Sequence, residues 1–404
     1  MSFRSPGRAC VAIGLSLTLA LLTACGSNND STSTTTELTL TAATAVLGQS
    51  GFTTATANRG GAADANTLSQ PLGGAAGTSG SSFFVADYGD SRILGYNSAP
   101  TITNSAANFV IGQDDFVSSL PSGGANRLAL PGAVWVGGGR LVVADTGNNR
   151  VLIWNTLPTG NTAPDVIVGQ PDLNSNGPGL SAAALNSPVA AAIAGNRLFV
   201  VDQNNNRVLV WNTIPTANAT TADLVIGQSD FVSGIGATTQ NRLLQPSGIW
   251  TDGFRLLIAD GGNNRVMYWT SIPSTNAANA SFVVGQATFT FSSTAPSAQT
   301  MNTPVGIASD GTRLFVADSG NNRVLVFNSF PIANNTAADS VLGQDSFTRN
   351  TANDDNGNAT NPQDGTSEGV PTARTLSRPT GVFYLGGNLY VTDRGNNRVL
   401  LFRE

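Results

Sequence analysis

A short run of apolar and small residues ending in Asp recurs six times along this chain, as Phe84-Val85-Ala86-Asp87, Val142-Val143-Ala144-Asp145, Phe199-Val200-Val201-Asp202, Leu257-Ile258-Ala259-Asp260, Phe315-Val316-Ala317-Asp318 and Tyr390-Val391-Thr392-Asp393. The intervals between the aspartates are 58, 57, 58, 58 and 75 residues. A period of this size marks a propeller or a solenoid, and it overrides the two or three domains that 404 residues would otherwise suggest.

Five residues after each Asp an Arg opens a second apolar run: Arg92, Arg150, Arg207, Arg265, Arg323 and Arg398. A Pro precedes each Asp, at 71, 131, 188, 246, 304 and 379, and a short apolar segment ending in Gly-Gln places Gln at 49, 113, 170, 228, 286 and 344. Each unit therefore supplies four short strands in the order Pro, Asp, Arg, Gln, which is one blade of a β-propeller. The first Gly-Gln segment precedes any Pro strand, and the chain stops at Val399-Leu400-Leu401-Phe402 with no Gln strand after it. The expected fold is an all-β six-bladed β-propeller of four-stranded antiparallel blades, closed when the strand near 45–49 joins the last blade, so that no sheet edge is left open.

The turn between the Asp and Arg strands reads Asp-x-Gly-Asn-Asn-Arg-Val, and in this motif the chain resembles the NHL repeats, over about 360 of its 404 residues. Two copies depart from it: Asp90-Ser91 replace the Asn pair, and Asn204 replaces the Gly. Blade one also carries a degenerate stretch, Gly73 to Gly80. Asp and Arg on either side of a four-residue loop face each other across the hairpin, so six bracing ion pairs are expected. The competing reading is a ring of six Arg facing a ligand. The loop Gly is expected at positive φ, and the six Gln are expected to satisfy backbone groups at blade junctions. Tyr96, Trp154, Trp211, Trp269, Phe327 and Phe402 fall at one equivalent position, as an aromatic belt or a carbohydrate-stacking platform. Trp135 and Trp250 stand where other blades have Ala or Phe383, so they join the six Arg as candidate ligand-face residues.

The first 24 residues have two Arg ahead of an apolar run and end at Leu22-Thr23-Ala24, just before Cys25. This is a secretory signal, too short to span a bilayer. The tetrad resembles the bacterial lipobox, which implies that Cys25 is acylated and that the protein is exported and membrane-anchored, with the outer membrane favoured by Gly26. Residues 25–44 are a flexible Ser/Thr/Asn-rich stalk, and 45–404 form the propeller, with an acidic insertion at about 350–370. Its Asp354-Asp355-Asn356-Gly357-Asn358 lacks the spacing of an EF-hand loop.

There is no His and no Lys, the formal charge is −5 and charged residues make up 11%. The commonest general base and metal ligand are thus missing, and no basic patch for nucleic acid is visible. The expectation is a monomeric, non-enzymatic binding or scaffold module in the cell envelope, meeting an unknown protein or polysaccharide and using no cofactor. The alternative is a lyase- or lactonase-like enzyme holding calcium through oxygen ligands near the central channel.

Overall fold

In the computed structural model, Met1 and residues 41–76, 82–354 and 369–404 are described, so Cys25, the signal segment and most of the acidic insertion lie outside the described residues. The described residues from 41 onward form one compact unit of six four-stranded antiparallel sheets. In the third blade the strands are Pro188–Ala194, Arg197–Asp202, Arg207–Trp211 and Leu224–Ile226, lying side by side in sequence order from the innermost to the outermost. Among the described residues no helix is long and apolar enough to cross a membrane.

The ring closes as the register of the repeats requires. Ala45–Leu47 is the outermost strand of the sixth blade, with Ala45 opposite Leu401, Val46 opposite Leu400 and Leu47 opposite Val399. All three of its side chains are buried. The second and third strands of each blade are buried on both faces, because each sheet packs against its neighbours, and they read as near-continuous Val, Leu, Ile and Phe. The innermost strands approach so closely that side chains are excluded at some points. A Cβ on Gly248 would lie 1.9 Å from the Val305 carbonyl of the next blade.

Each Asp-to-Arg turn is a single 3-10 turn, and the loops that follow each Gln emerge at the same end of the blades, since each Gln side chain reaches the turn. This end is called the hairpin face below. In all six turns the left-handed residue is the last one before the Arg, namely Ser91, Asn149, Asn206, Asn264, Asn322 and Asn397, at φ between 51° and 55°. The expected positive φ at the loop Gly is therefore wrong. Glycine is needed there for space: a Cβ on Gly147 would meet the Ala129 carbonyl at 2.8 Å, and the Gly147 N–H donates to that oxygen at 2.9 Å. Where Asn204 replaces Gly, the same bond stretches to 3.2 Å.

Candidate functional site

The six motif arginines are fully buried, and none lines the channel. Each donates through Nε to the Asp opposite at 2.7–2.8 Å. Its remaining nitrogens donate to carbonyls: Arg207 reaches those of Phe231, Ser181 and Ala184. The large apolar residue three places after each Gln thus serves through its carbonyl. The Asp completes the brace. Asp202 accepts from the Asn186 amide and the Asn205 side chain as well as from Arg207. Burial pushes these carboxyls upward and the Arg charge opposes it. As ligand-face candidates Arg92, Arg150, Arg207, Arg265, Arg323 and Arg398 are enclosed by protein, with no guanidinium available to an outside anion.

Blade one differs. Asp90 stands where Asn148 or Asn205 stands elsewhere, buried, with Oδ2 3.4 Å from Arg92 Nη2. Two carboxylates share one guanidinium there, and Asp87 is pushed up to about 8, first by burial and further by Asp90, against the pull of Arg92.

The Gln side chains act inside the blades rather than between them. Gln228 Nε2 donates to the carbonyls of Asn206 and Ile235, tying the hairpin to the loop that follows the outer strand. The same two-carbonyl bridge is made by Gln49, Gln113, Gln170, Gln286 and Gln344. The link between blades comes from the second Asn of the motif, which the sequence reading passed over. Asn264 Oδ1 accepts the backbone N–H of Thr303 in the next blade, and its Nδ2 donates to the Ser292 carbonyl. The third-strand aromatics, Trp154, Trp211 and their equivalents, are buried in the belt, and the indole N–H of each of these two donates to a nearby carbonyl. They leave no open ring face for a sugar.

What is not used in architecture gathers around the central channel, a cavity of about 680 Å³ bounded by the innermost strands. Trp135, Trp250 and Phe383, the residues that break the repeat, all line it. Trp250 packs on Phe330 with ring centres 5.3 Å apart, and Arg255 lies 3.5 Å over the Phe330 ring. Phe383 stacks flat on Tyr390 at 5.0 Å. The Trp135 indole nitrogen is buried and has no hydrogen-bond partner among the described residues. At the hairpin mouth the variable residue of Asp-x-Gly lines the channel in every blade: Tyr88, Thr146, Gln203, Gly261, Ser319 and Arg394. These six differ completely, so the mouth is asymmetric although the scaffold is not. Among the described residues no three His, Cys, Asp or Glu side chains cluster so as to hold a metal.

The sequence model of the NHL repeat matches residues 301–327, a segment of the fifth blade. The chain is 37% identical over 100 residues to NHL repeat-containing protein 2 of Gallus gallus, a stretch that is 24% of this chain and only 13% of that protein. Among solved structures it is similar to a streptogramin B lyase, at 13% identity with 83% of this chain and 94% of that one covered and a TM-score of 0.45. It is also similar to virginiamycin B lyase from Staphylococcus aureus, at 13% identity with 85% and 98% covered and a TM-score of 0.40. The chain thus carries an NHL repeat within its fifth blade, in a ring of six four-stranded blades.

Proposed function

We propose that this chain is a non-enzymatic binding module, a rigid propeller that presents one end of its channel to a partner in the bacterial envelope and is tethered there through acylated Cys25. The observation that carries this reading is the division of labour among the repeats. The residues that recur are buried in bracing, whereas those that differ from blade to blade converge on one channel mouth, where a single partner meets all of them. Fold alone does not select a function; a concave site with a few convergent polar groups is where binding is expected.

Capture from an envelope extract tests this, using the whole mature chain and variants at the mouth. Tyr88→Ala and Gln203→Ala should each lose the captured partner without loss of thermal stability, and undiminished capture by both would overturn the assignment of the mouth. Stoichiometric divalent metal in the purified protein would favour the enzyme alternative. The anchor is tested separately, since Cys25→Ala should move the protein from the membrane fraction to the soluble one, and continued membrane association would remove it.

A further inference from the structure

Two cations at the hairpin mouth stand without an ion-pair partner among the described residues. Arg378 precedes the innermost strand of the sixth blade, and Arg394 occupies the variable position of that blade's turn; both line the channel. The Arg394 guanidinium donates to Gln70 Oε1 at 3.0 Å and lies 5.5 Å over the Tyr88 ring, so blade one holds it in place. The Arg378 side chain makes no hydrogen bond or ion pair among the described residues, while its backbone is pinned at φ 49° with its N–H on Asn322 Oδ1. Burial first, and the Arg378 charge second, push the Arg394 pKa down. Like charges that feel each other beside a cavity favour an anion between them. Of the arginines outside the motif, Arg127 pairs with Asp114, Arg255 with Asp252 and Arg313 with Asp310, while Arg140, Arg242 and Arg403 donate to neutral oxygens.

The kind of anion follows from what surrounds the pair. Asp115, Asp172 and Asp230 stand on the hairpin face in the loops after Gln of blades one, two and three, and hydrogen bonds from residues two and three places on hold their carboxyls below the usual range. These negative charges on one side of the face disfavour a polyanion such as nucleic acid spread across it, while a single carried charge meets the two Arg of blade six. The other groups at the mouth include the Tyr88 ring and the amides of Gln203 and Gln245, beside the hydroxyls of Thr146 and Ser319. An aromatic face beside neutral amides suits the apolar face and hydroxyls of a sugar better than a peptide carboxylate.

Building on the binding-module reading, we propose that the hairpin mouth recognises a uronate-type acidic sugar, its carboxylate held between Arg378 and Arg394 and its ring against Tyr88.

Calorimetric titration of the full mature chain with methyl glucuronide tests this, with methyl glucoside and an N-acetyl-aspartyl peptide as comparison probes. The glucuronide should bind saturably and more weakly at high salt, and the glucoside about tenfold more weakly or worse, the loss expected when a charged hydrogen-bonding pair is removed. Arg378→Gln and Arg394→Gln should each weaken the glucuronide by about tenfold or more, at unchanged melting temperature, while Asp115→Asn should leave it equal or tighter. The proposal is overturned by equal binding of glucoside and glucuronide, by aspartyl peptide binding as tightly, by no glucuronide binding, or by a double Arg variant that binds as well as the wild type. Envelope capture that survives in the double Arg variant, with no glucuronide bound by the wild type, would discard the sugar and keep the module.

Discussion

At the scale of single residues, one ion pair is repeated six times and is altered once. In five blades the Asp that meets the Arg also accepts an amide proton from the first Asn of the motif, as Asp202 does from Asn205 at 2.8 Å. Blade one has Asp90 instead, whose Oδ2 finds no hydrogen-bond donor among the described residues and only the Arg92 charge, at 3.4 Å. With the Asp87 carboxyl raised from 3.8 to about 8, the folded chain keeps a proton that the unfolded chain releases between those values. The contribution of Asp87 to stability is therefore full below pH 4 or so and is lost as pH rises through about 8. Asp90→Asn should lessen this loss, by the part that the Asp90 charge adds to burial. Its amide would donate to Asp87 and its oxygen would accept from Asn58 Nδ2, which now bonds Asp90 Oδ1 at 3.1 Å. Blade six already holds that arrangement, between Asn396, Asp393 and Asn353. The gain should be about 1–3 kcal/mol at pH 9 and smaller at pH 5; wild-type and variant melting temperatures that run parallel across this range would refute the assignment. The Asp–Arg pairing was legible in sequence because two residues flanking a four-residue loop must face each other. Arg378 and Arg394 were not, because neither recurs, and only the closed ring brings blade six beside Tyr88 and Gln70 of blade one.

Among elements, the blades are joined by turn geometry as well as by apolar packing. The residue before each Pro, from Gln70 to Arg378, sits at φ 45–51°, a region unfavourable to any residue with a Cβ. Five of these N–H groups are fixed by the second motif Asn of the preceding blade, at 2.7–2.9 Å. In blade one Ser91 does the same work at 3.3 Å. Composition suggested turns rich in Asn, but a motif seen along the chain shows only its own hairpin, so the bond to the next blade was invisible. Substituting Asn264 separates the two roles. Asn264→Gly keeps the left-handed backbone and loses the bonds to Thr303 and Ser292, at about 1–3 kcal/mol. Asn264→Ala loses the same bonds and adds about 1–2 kcal/mol of backbone strain. Chemical denaturation should rank wild type above Gly above Ala, and an Ala variant as stable as Gly would show that the left-handed backbone is not the constraint.

For the molecule as a whole, the ring is held by three residues from one end of the chain lying in a sheet made by the other. The closure was legible in the order of the repeats, because an orphan Gln strand at one end matches a missing one at the other. What this predicts is that the seam is a matter of connectivity alone. Elsewhere the third and outermost strands are joined by a loop, such as residues 212–223 between Trp211 and Leu224. Thr44 already bonds Leu401 across the gap, at 2.7 Å, so the two ends lie where such a loop begins and finishes. A circular permutant that joins Phe402 to Ala45 through a copy of residues 212–223, and opens the chain within the acidic insertion at 355–368, should keep every sheet. Its melting temperature should equal or exceed that of the wild type, because closing one loop of that size alters the entropy of the unfolded chain by only about a kcal/mol relative to loops of similar length. Deleting residues 41–49 without such a join removes Val46 and Leu47 from the core and exposes an edge, and should lower stability by several kcal/mol, at about 1.5–3 kcal/mol for each large apolar side chain lost. Permutant and deletion melting together would mean that the strand is incidental to the ring, whereas a stable permutant beside an unstable deletion places the closure in the strand itself, independent of where the chain begins.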